Sequence, residues 1–166
     1  PAILDGMIYF GSWDGHLYAV NADTGQEKWK FKTGDWVSSS PSISSGIVYF
    51  GSYDGHLYAV NTNTGQEKWK FKTGDWILSS PSISGGIVYF GSWDGNVYAV
   101  NAETGKEKWN FVTGDWVSSS PAIAGGVVYF GSYDHHLYAV DIETGQEKSK
   151  FKTGNWVSSS PAIAGG

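Results

Sequence analysis

The run Ile47-Val48-Tyr49-Phe50-Gly51-Ser52-Tyr53-Asp54-Gly55-His56-Leu57-Tyr58-Ala59-Val60-Asn61 decides the fold. It holds two apolar segments, Ile47 to Ser52 and His56 to Asn61, separated by Asp54-Gly55. Asp-Gly between apolar runs predicts a tight hairpin with a type I′ turn, which needs positive φ at both central residues. The first segment is almost continuously apolar, which suits a strand buried on both faces. Upstream, the small polar residues from Ser39 to Ile43 read as a short strand. Downstream, Glu67 to Thr73 alternates, with Trp69 and Phe71 on one face and Lys68, Lys70 and Lys72 on the other. The unit is therefore four antiparallel strands.

The unit recurs every forty residues. Phe10-Gly11-Ser12, Phe50-Gly51-Ser52, Phe90-Gly91-Ser92 and Phe130-Gly131-Ser132 stand in register, as do Pro1, Pro41, Pro81, Pro121 and Pro161. A fixed period of this length marks a repeat architecture. Short strands with periodic Gly and aromatic residues predict an all-β fold, a β-propeller of four-stranded blades. The repeats are 1–40, 41–80, 81–120 and 121–160 of one domain, 1–166. The segment 158–166 repeats the start of a blade and is expected to act as a closing strand. Lysines on the fourth strand mark it as an outer edge, protected against pairing with other chains. The Ser-rich first strand belongs at the axis. Antiparallel order puts the Asp-Gly hairpins on one end of the blades with the Gly34-Asp35-Trp36-Val37 connections. The Thr-Gly turns and the Ser45-Gly46 turns fall on the other. In the fourth copy His135 replaces the turn glycine, so that turn is expected to be strained or of another type.

Composition narrows the function classes. Net charge is -5 with both signs interspersed, so no basic stripe is available for nucleic acid. Cysteine is absent, which removes disulfides and thiolate metal sites. No apolar run approaches a membrane span. Pro1 in place of Met predicts a processed, trimmed or excerpted form. Carboxylates repeat at equivalent positions, whereas an active site needs unlike groups converging in distinct roles. No catalytic residues and no metal site are assigned, and no cofactor is expected.

The segment Ala19-Val20-Asn21-Ala22-Asp23-Thr24-Gly25-Gln26-Glu27-Lys28-Trp29, with its equivalents at Ala59 to Trp69 and Ala99 to Trp109, resembles the tryptophan-docking motif of the pyrroloquinoline-quinone (PQQ)-type propeller repeat. With the Val-Tyr-Phe-Gly-Ser and Asp-Gly-His-Leu-Tyr segments, the resemblance covers essentially the whole chain. It implies an eight-bladed ring and a docking Trp between neighbouring blades: Trp29, Trp69 and Trp109. Ser149 stands where the fourth should be. The family includes quinone-dependent alcohol dehydrogenases and non-enzymatic members, such as a lipoprotein of outer-membrane barrel assembly. The resemblance alone suggests an extracellular, cell-surface or periplasmic location.

Blades shaped for an eightfold ring do not close at four, so this chain is expected to be half a ring. A second copy related by a two-fold axis completes it, or the chain is part of a longer array. In the dimer, Ser158 to Ile163 is expected beside Ile8 to Ser12 of the other copy, in competition with Pro1 to Ile3. The candidate ligand surface is Trp36, Trp76, Trp116 and Trp156 with Asp35, Asp75 and Asp115, expected around the channel mouth. Aromatic platforms beside carboxylates suit sugars, cationic groups or extended peptides; the bland alternative is packing over the adjacent blade. His16, His56 and His136 are expected to stack across the hairpin on Trp13, Tyr53 and Tyr133, as Asn96 does on Trp93. The reading is a non-catalytic interaction scaffold, with a lectin-like binder as its rival and a quinone dehydrogenase fragment as the remote third.

Overall fold

The structure is a computed structural model describing residues 1–163. Among the described residues sixteen strands form four antiparallel sheets, each drawn from one repeat in simple meander order. Blade 1 holds β1 (Ala2–Leu4), β2 (Met7–Ser12), β3 (His16–Asn21) and β4 (Glu27–Lys32). Blade 2 holds β5 (Ser42–Ser44), β6 (Ile47–Gly51), β7 (His56–Asn61) and β8 (Glu67–Lys72). Blade 3 holds β9 (Ser82–Ser84), β10 (Ile87–Gly91), β11 (Asn96–Asn101) and β12 (Glu107–Val112). Blade 4 holds β13 (Ala122–Ala124), β14 (Val127–Gly131), β15 (His136–Asp141) and β16 (Glu147–Lys152).

The inner strands β1, β5, β9 and β13 touch in sequence, and among the described residues β13 does not reach β1. The blades therefore form an open arc. The core lies between blades, not within them. One face of blade 1 (Tyr9, Leu17, Ala19, with Trp29 and Phe31) packs on the opposite face of blade 2 (Val48, Phe50, Tyr58, Val60). The same two sets meet between blades 2 and 3 and between blades 3 and 4. The apolar second strand is needed on both faces, and β6 is buried throughout.

Two expectations are corrected. The inner strand starts at Ser42, not Ser39. Pro41 has no N–H to give a ladder, and Ser39 instead uses its Oγ to accept the Gly51 amide at 3.1 Å. The Asp-Gly hairpins are not type I′. Gly55 has φ +76°, but Asp54 keeps negative φ. The Gly55 amide donates to Ser52 O (3.1 Å), which makes a type I turn followed by a left-handed glycine. The cause is local: Ser52 Oγ accepts the Asp54 amide (3.2 Å), and Asp54 Oδ1 accepts the His56 amide (3.0 Å). His135 does occupy the glycine position with φ +73°, so the expected strain is present. Of the closing segment, Ser158 to Ile163 carries no strand; its last residues, 164–166, lie outside the described residues.

Candidate functional site

The Asp-Gly hairpins and the Gly-Asp-Trp connections do share one end of the arc. Gly34 N donates to Asp54 Oδ2 of the next blade (2.7 Å), and Gly74 and Gly114 reach Asp94 and Asp134 in the same way (2.8 Å each). This threads each connection between two hairpins. The aromatic side chains then have nowhere to go but onto one another.

The result is a continuous ladder of eight rings: Trp13, Trp36, Tyr53, Trp76, Trp93, Trp116, Tyr133 and Trp156. Within a blade the hairpin ring stacks on the following connection Trp. The centroid separations are 4.9 Å (Trp13–Trp36), 4.9 Å (Tyr53–Trp76), 4.2 Å (Trp93–Trp116) and 5.0 Å (Tyr133–Trp156), with interplanar angles of 12° or less. Between blades Trp36 meets Tyr53 at 5.6 Å, Trp76 meets Trp93 at 5.0 Å and Trp116 meets Tyr133 at 5.8 Å, all tilted. Stacked pairs of this kind contribute about 0.5–1.5 kcal/mol each beyond area burial. Both faces of most rings are covered by neighbours, and solvent sees edges: Trp36, Trp76 and Trp116 are about two-fifths exposed. Only the terminal Trp13 (64 % exposed) and Trp156 (62 %) keep a bare face.

Asp35, Asp75 and Asp115 stand beside the ladder, exposed. Each turns one carboxylate oxygen back onto the following Trp amide at 2.7–2.8 Å, as the amide oxygen of Asn155 does. The second oxygen faces water. Aromatic edges alternating with carboxylates make a repeated acidic, apolar rim. It suits an extended chain carrying apolar and basic side chains better than a sugar, which needs a bare ring face.

The histidines sit elsewhere than expected. His16, His56 and His136 place Nδ1 3.2–3.3 Å from Asp14, Asp54 and Asp134 and lean on the same-strand Tyr18, Tyr58 and Tyr138. The four-residue turn carries Trp13, Tyr53 and Tyr133 outward to the ladder, so the cross-hairpin stack does not form. Asn96 makes the equivalent contact with Asp94.

The hub of each blade is an aspartate read from sequence only as a turn residue. Asp54 accepts from Tyr58 OH (2.7 Å), the Gly34 amide and the His56 amide. Burial opposes ionisation of Asp54 and Asp134, but these hydrogen bonds outweigh it and hold both carboxyls below the usual range. Burial first, then the bond to the aspartate, pushes Tyr58, Tyr98 and Tyr138 up. The signal was present: Asp and Tyr recur four residues apart in every repeat.

At the opposite end, Trp29, Trp69 and Trp109 lie across to the next blade. Each Nε1 donates at 3.0 Å to a carbonyl, that of Thr62, Ala102 or Ile142. Each indole lies so close to Gly65, Gly105 or Gly145 that an added Cβ would sit 2.8 Å from the ring.

A quinone-calcium centre needs several unlike ligands converging. Among the described residues no three His, Cys, Asp or Glu side chains come together to hold an ion. The residues present do not fit that group.

Four-stranded meander sheets packed face to face, with one interblade Trp per internal interface, define a β-propeller of PQQ-like repeats. The chain belongs to the family described as outer membrane protein assembly factor BamB, whose model matches residues 1–82 and 71–164. The fold is similar to that of BamB from Moraxella catarrhalis, with TM-score 0.83 and 20% identity, covering 93% of this chain and 51% of that one. It is also similar to the computationally designed Ika8 protein, with TM-score 0.83 and 22% identity, covering 95% and 50%. A third likeness is to the quinohemoprotein alcohol dehydrogenase ADHIIG from Pseudomonas putida HK5, with TM-score 0.82 and 23% identity, covering 92% and 33%. The chain spans about half the length of the first two and a third of the last. No curated protein sequence matches it.

Proposed function

We propose that this protein is a non-catalytic interaction module that presents its ladder-bearing end to a polypeptide partner. One observation carries the reading. Stacking leaves a continuous apolar rim of ring edges, flanked by a carboxylate in the first three repeats and by Asn155 in the fourth, with the spacing repeated from blade to blade. An extended peptide with basic and apolar side chains matches such a rim over several blades. The uniformity of the blades supports a non-catalytic role, because among the described residues no cluster of unlike metal-binding groups converges. The family description, an outer membrane protein assembly factor, agrees with a partner that is itself a protein. It also favours a periplasmic, cell-surface or extracellular setting. Among the described residues no helix is long and apolar enough to cross a membrane.

The test is to pan a random peptide-display library on the wild-type chain and on Trp76→Leu and Trp116→Leu. The expected result is a family of basic, apolar-rich peptides whose affinity falls at least tenfold in both variants while the β-sheet circular dichroism at the binding temperature is unchanged. Absence of enrichment together with hits on a glycan array would replace the reading with the lectin-like one. A quinone absorbance after reconstitution with quinone and calcium would replace it with the dehydrogenase class.

A further inference from the structure

The two ends of the arc expose the two halves of the interface that the interior repeats three times. Blade 1 presents Ile3, Ile8, Phe10, Tyr18 and Val20, of which Ile3 is 71 % exposed. In blades 2 to 4 the last four are replaced by buried Val48, Phe50, Tyr58 and Val60 and their equivalents. Blade 4 presents Tyr129, Leu137, Ala139 and Phe151, and Phe151 is 67 % exposed. The corresponding Leu57 and Ala59 are fully buried. A groove of about 310 Å³ lies along this face.

We propose that these faces bind each other across a second copy of this chain, so that two copies close one eight-bladed ring. Blade 4 of each chain seats blade 1 of the other, and a two-fold axis generates both junctions.

The polar groups support this register independently. Gly34, Gly74 and Gly114 donate to the hairpin aspartate of the next blade. Among the described residues Gly154 has no neighbouring hairpin and Asp14 receives no such donor; they are the next pair in the series. Lys68 bonds Glu103 (2.8 Å) and Lys108 bonds Glu143 (2.5 Å) across internal interfaces. The same step takes Lys148 to Asp23 of the second copy. It also takes Trp156 to Trp13, whose bare faces would join two eight-ring ladders into one closed circuit. The curvature agrees. Four blades superpose well on chains of about twice the length.

Two features set this junction apart. Ser149 lacks the indole that Trp29, Trp69 and Trp109 place on the next blade. Correspondingly, Gly25 has open space where Gly65, Gly105 and Gly145 meet a ring. The junction is therefore weaker than the interfaces inside a chain. Pro161-Ala162-Ile163 also repeats Pro1-Ala2-Ile3, and both would lie along β2 of blade 1. β1 already holds that place through Ala2↔Tyr9 and Ile3↔Ile8, so the C-terminal copy turns aside in the ring.

Sedimentation equilibrium and native mass spectrometry of the 166-residue chain test the proposal. The expected species is twice 18.0 kDa. Phe10→Asp and Phe151→Asp lie on faces exposed in one chain, so each should keep the β-sheet circular dichroism and return the mass to 18.0 kDa. Ser149→Trp should tighten the dimer at least tenfold, because it restores an indole at both junctions. A wild-type chain that stays at 18.0 kDa up to about 100 μM overturns the proposal, since even weak specific pairs associate there. Open polymers, or any mass other than twofold, overturn the ring. A dimer that Ser149→Trp does not tighten overturns the register.

Discussion

Gly65 and Gly25 occupy the same turn in adjacent repeats with nearly the same backbone, φ +69° and +68°. Replacing each by Ala adds the same left-handed strain, about 1 kcal/mol. The surroundings differ. At Gly25 the new methyl meets nothing within 4 Å; at Gly65 it lies 2.8 Å from Cδ2 and 2.9 Å from Cγ of Trp29. To reach ordinary contact the indole must retreat by about 0.6 Å. That motion also stretches the 3.0 Å bond from Trp29 Nε1 to Thr62 O. Overpacking of this kind costs about 1–3 kcal/mol. The total for Gly65→Ala is then about 2–4 kcal/mol, against about 1 for Gly25→Ala. At about 2–4 °C per kcal/mol for a chain of this size, Gly25→Ala should lower the melting temperature by about 2–4 °C and Gly65→Ala by about twice to four times as much. Thermal unfolding followed by circular dichroism, with urea midpoints as a cross-check, reads both. Because the backbone term cancels in the comparison, equal losses would refute the claim that Trp29 is seated on the Gly65 turn and contributes to the blade interface.

The aspartate hubs give a second matched pair. Asp54→Ala strips Tyr58 OH and the Gly34 amide of their acceptor and should cost about 2–4 kcal/mol. Asp14→Ala, compared at protein concentrations low enough to keep the chain monomeric so that no blade precedes it, should cost markedly less by the same urea titration. His135→Gly relieves φ +73° and should raise the melting temperature by about 2–4 °C; an unchanged value would mean the side chain repays the strain. The pH profile follows from two sets of groups. Asp54 and Asp134 are held below the ordinary 3.8, so their stabilisation is complete above that value and is lost as pH falls through the depressed ones. Burial raises Tyr89 to about 12, and burial with an aspartate bond raises Tyr58, Tyr98 and Tyr138 too. Their stabilisation is complete below 10.0 and is lost as pH rises through the raised values. The melting temperature should therefore be flat from about pH 5 to 9 and fall on both sides; a decline already under way at pH 6 would count against the aspartate assignment.

The strands were readable because each lies between turn residues and carries its burial in its own side chains. β7 runs from His56 to Asn61 as its pattern predicts. The inner strand was misplaced because side chains do the bonding there: Ser39 Oγ on Gly51 N, and Ser40 N on Ser80 Oγ at 2.9 Å forty residues on. Hairpin position was readable from Asp-Gly, but turn type depended on Ser52, outside that dipeptide. The gathering of Trp36 and Trp76 on the hairpin end followed from antiparallel order. Their mutual stacking through Tyr53 did not, because it depends on the arc inserting each connection between two hairpins. A pair of aromatics recurring at a fixed offset of twenty-three, Trp13 with Trp36 and Tyr53 with Trp76, was the available sign.

Near-identity of the blades bears on both stability and recognition. In a linear repeat array each internal blade has two interfaces and each end blade one, so stability grows with the number of interfaces. Four blades in an arc have three; closing two arcs into a ring gives eight interfaces to eight blades. Stability of such a ring depends on protein concentration, and it does so through its weakest contact. In the proposed ring that contact is the one lacking an indole, at Ser149. Recognition follows the opposite logic. A partner reading the rim over several blades gains from repetition, because each blade offers two ring edges at the same spacing and the first three repeats add a carboxylate. The departures, Tyr53 and Tyr133 among tryptophans and Asn155 among aspartates, lie on the rim itself, and they are the positions able to give the partner a direction.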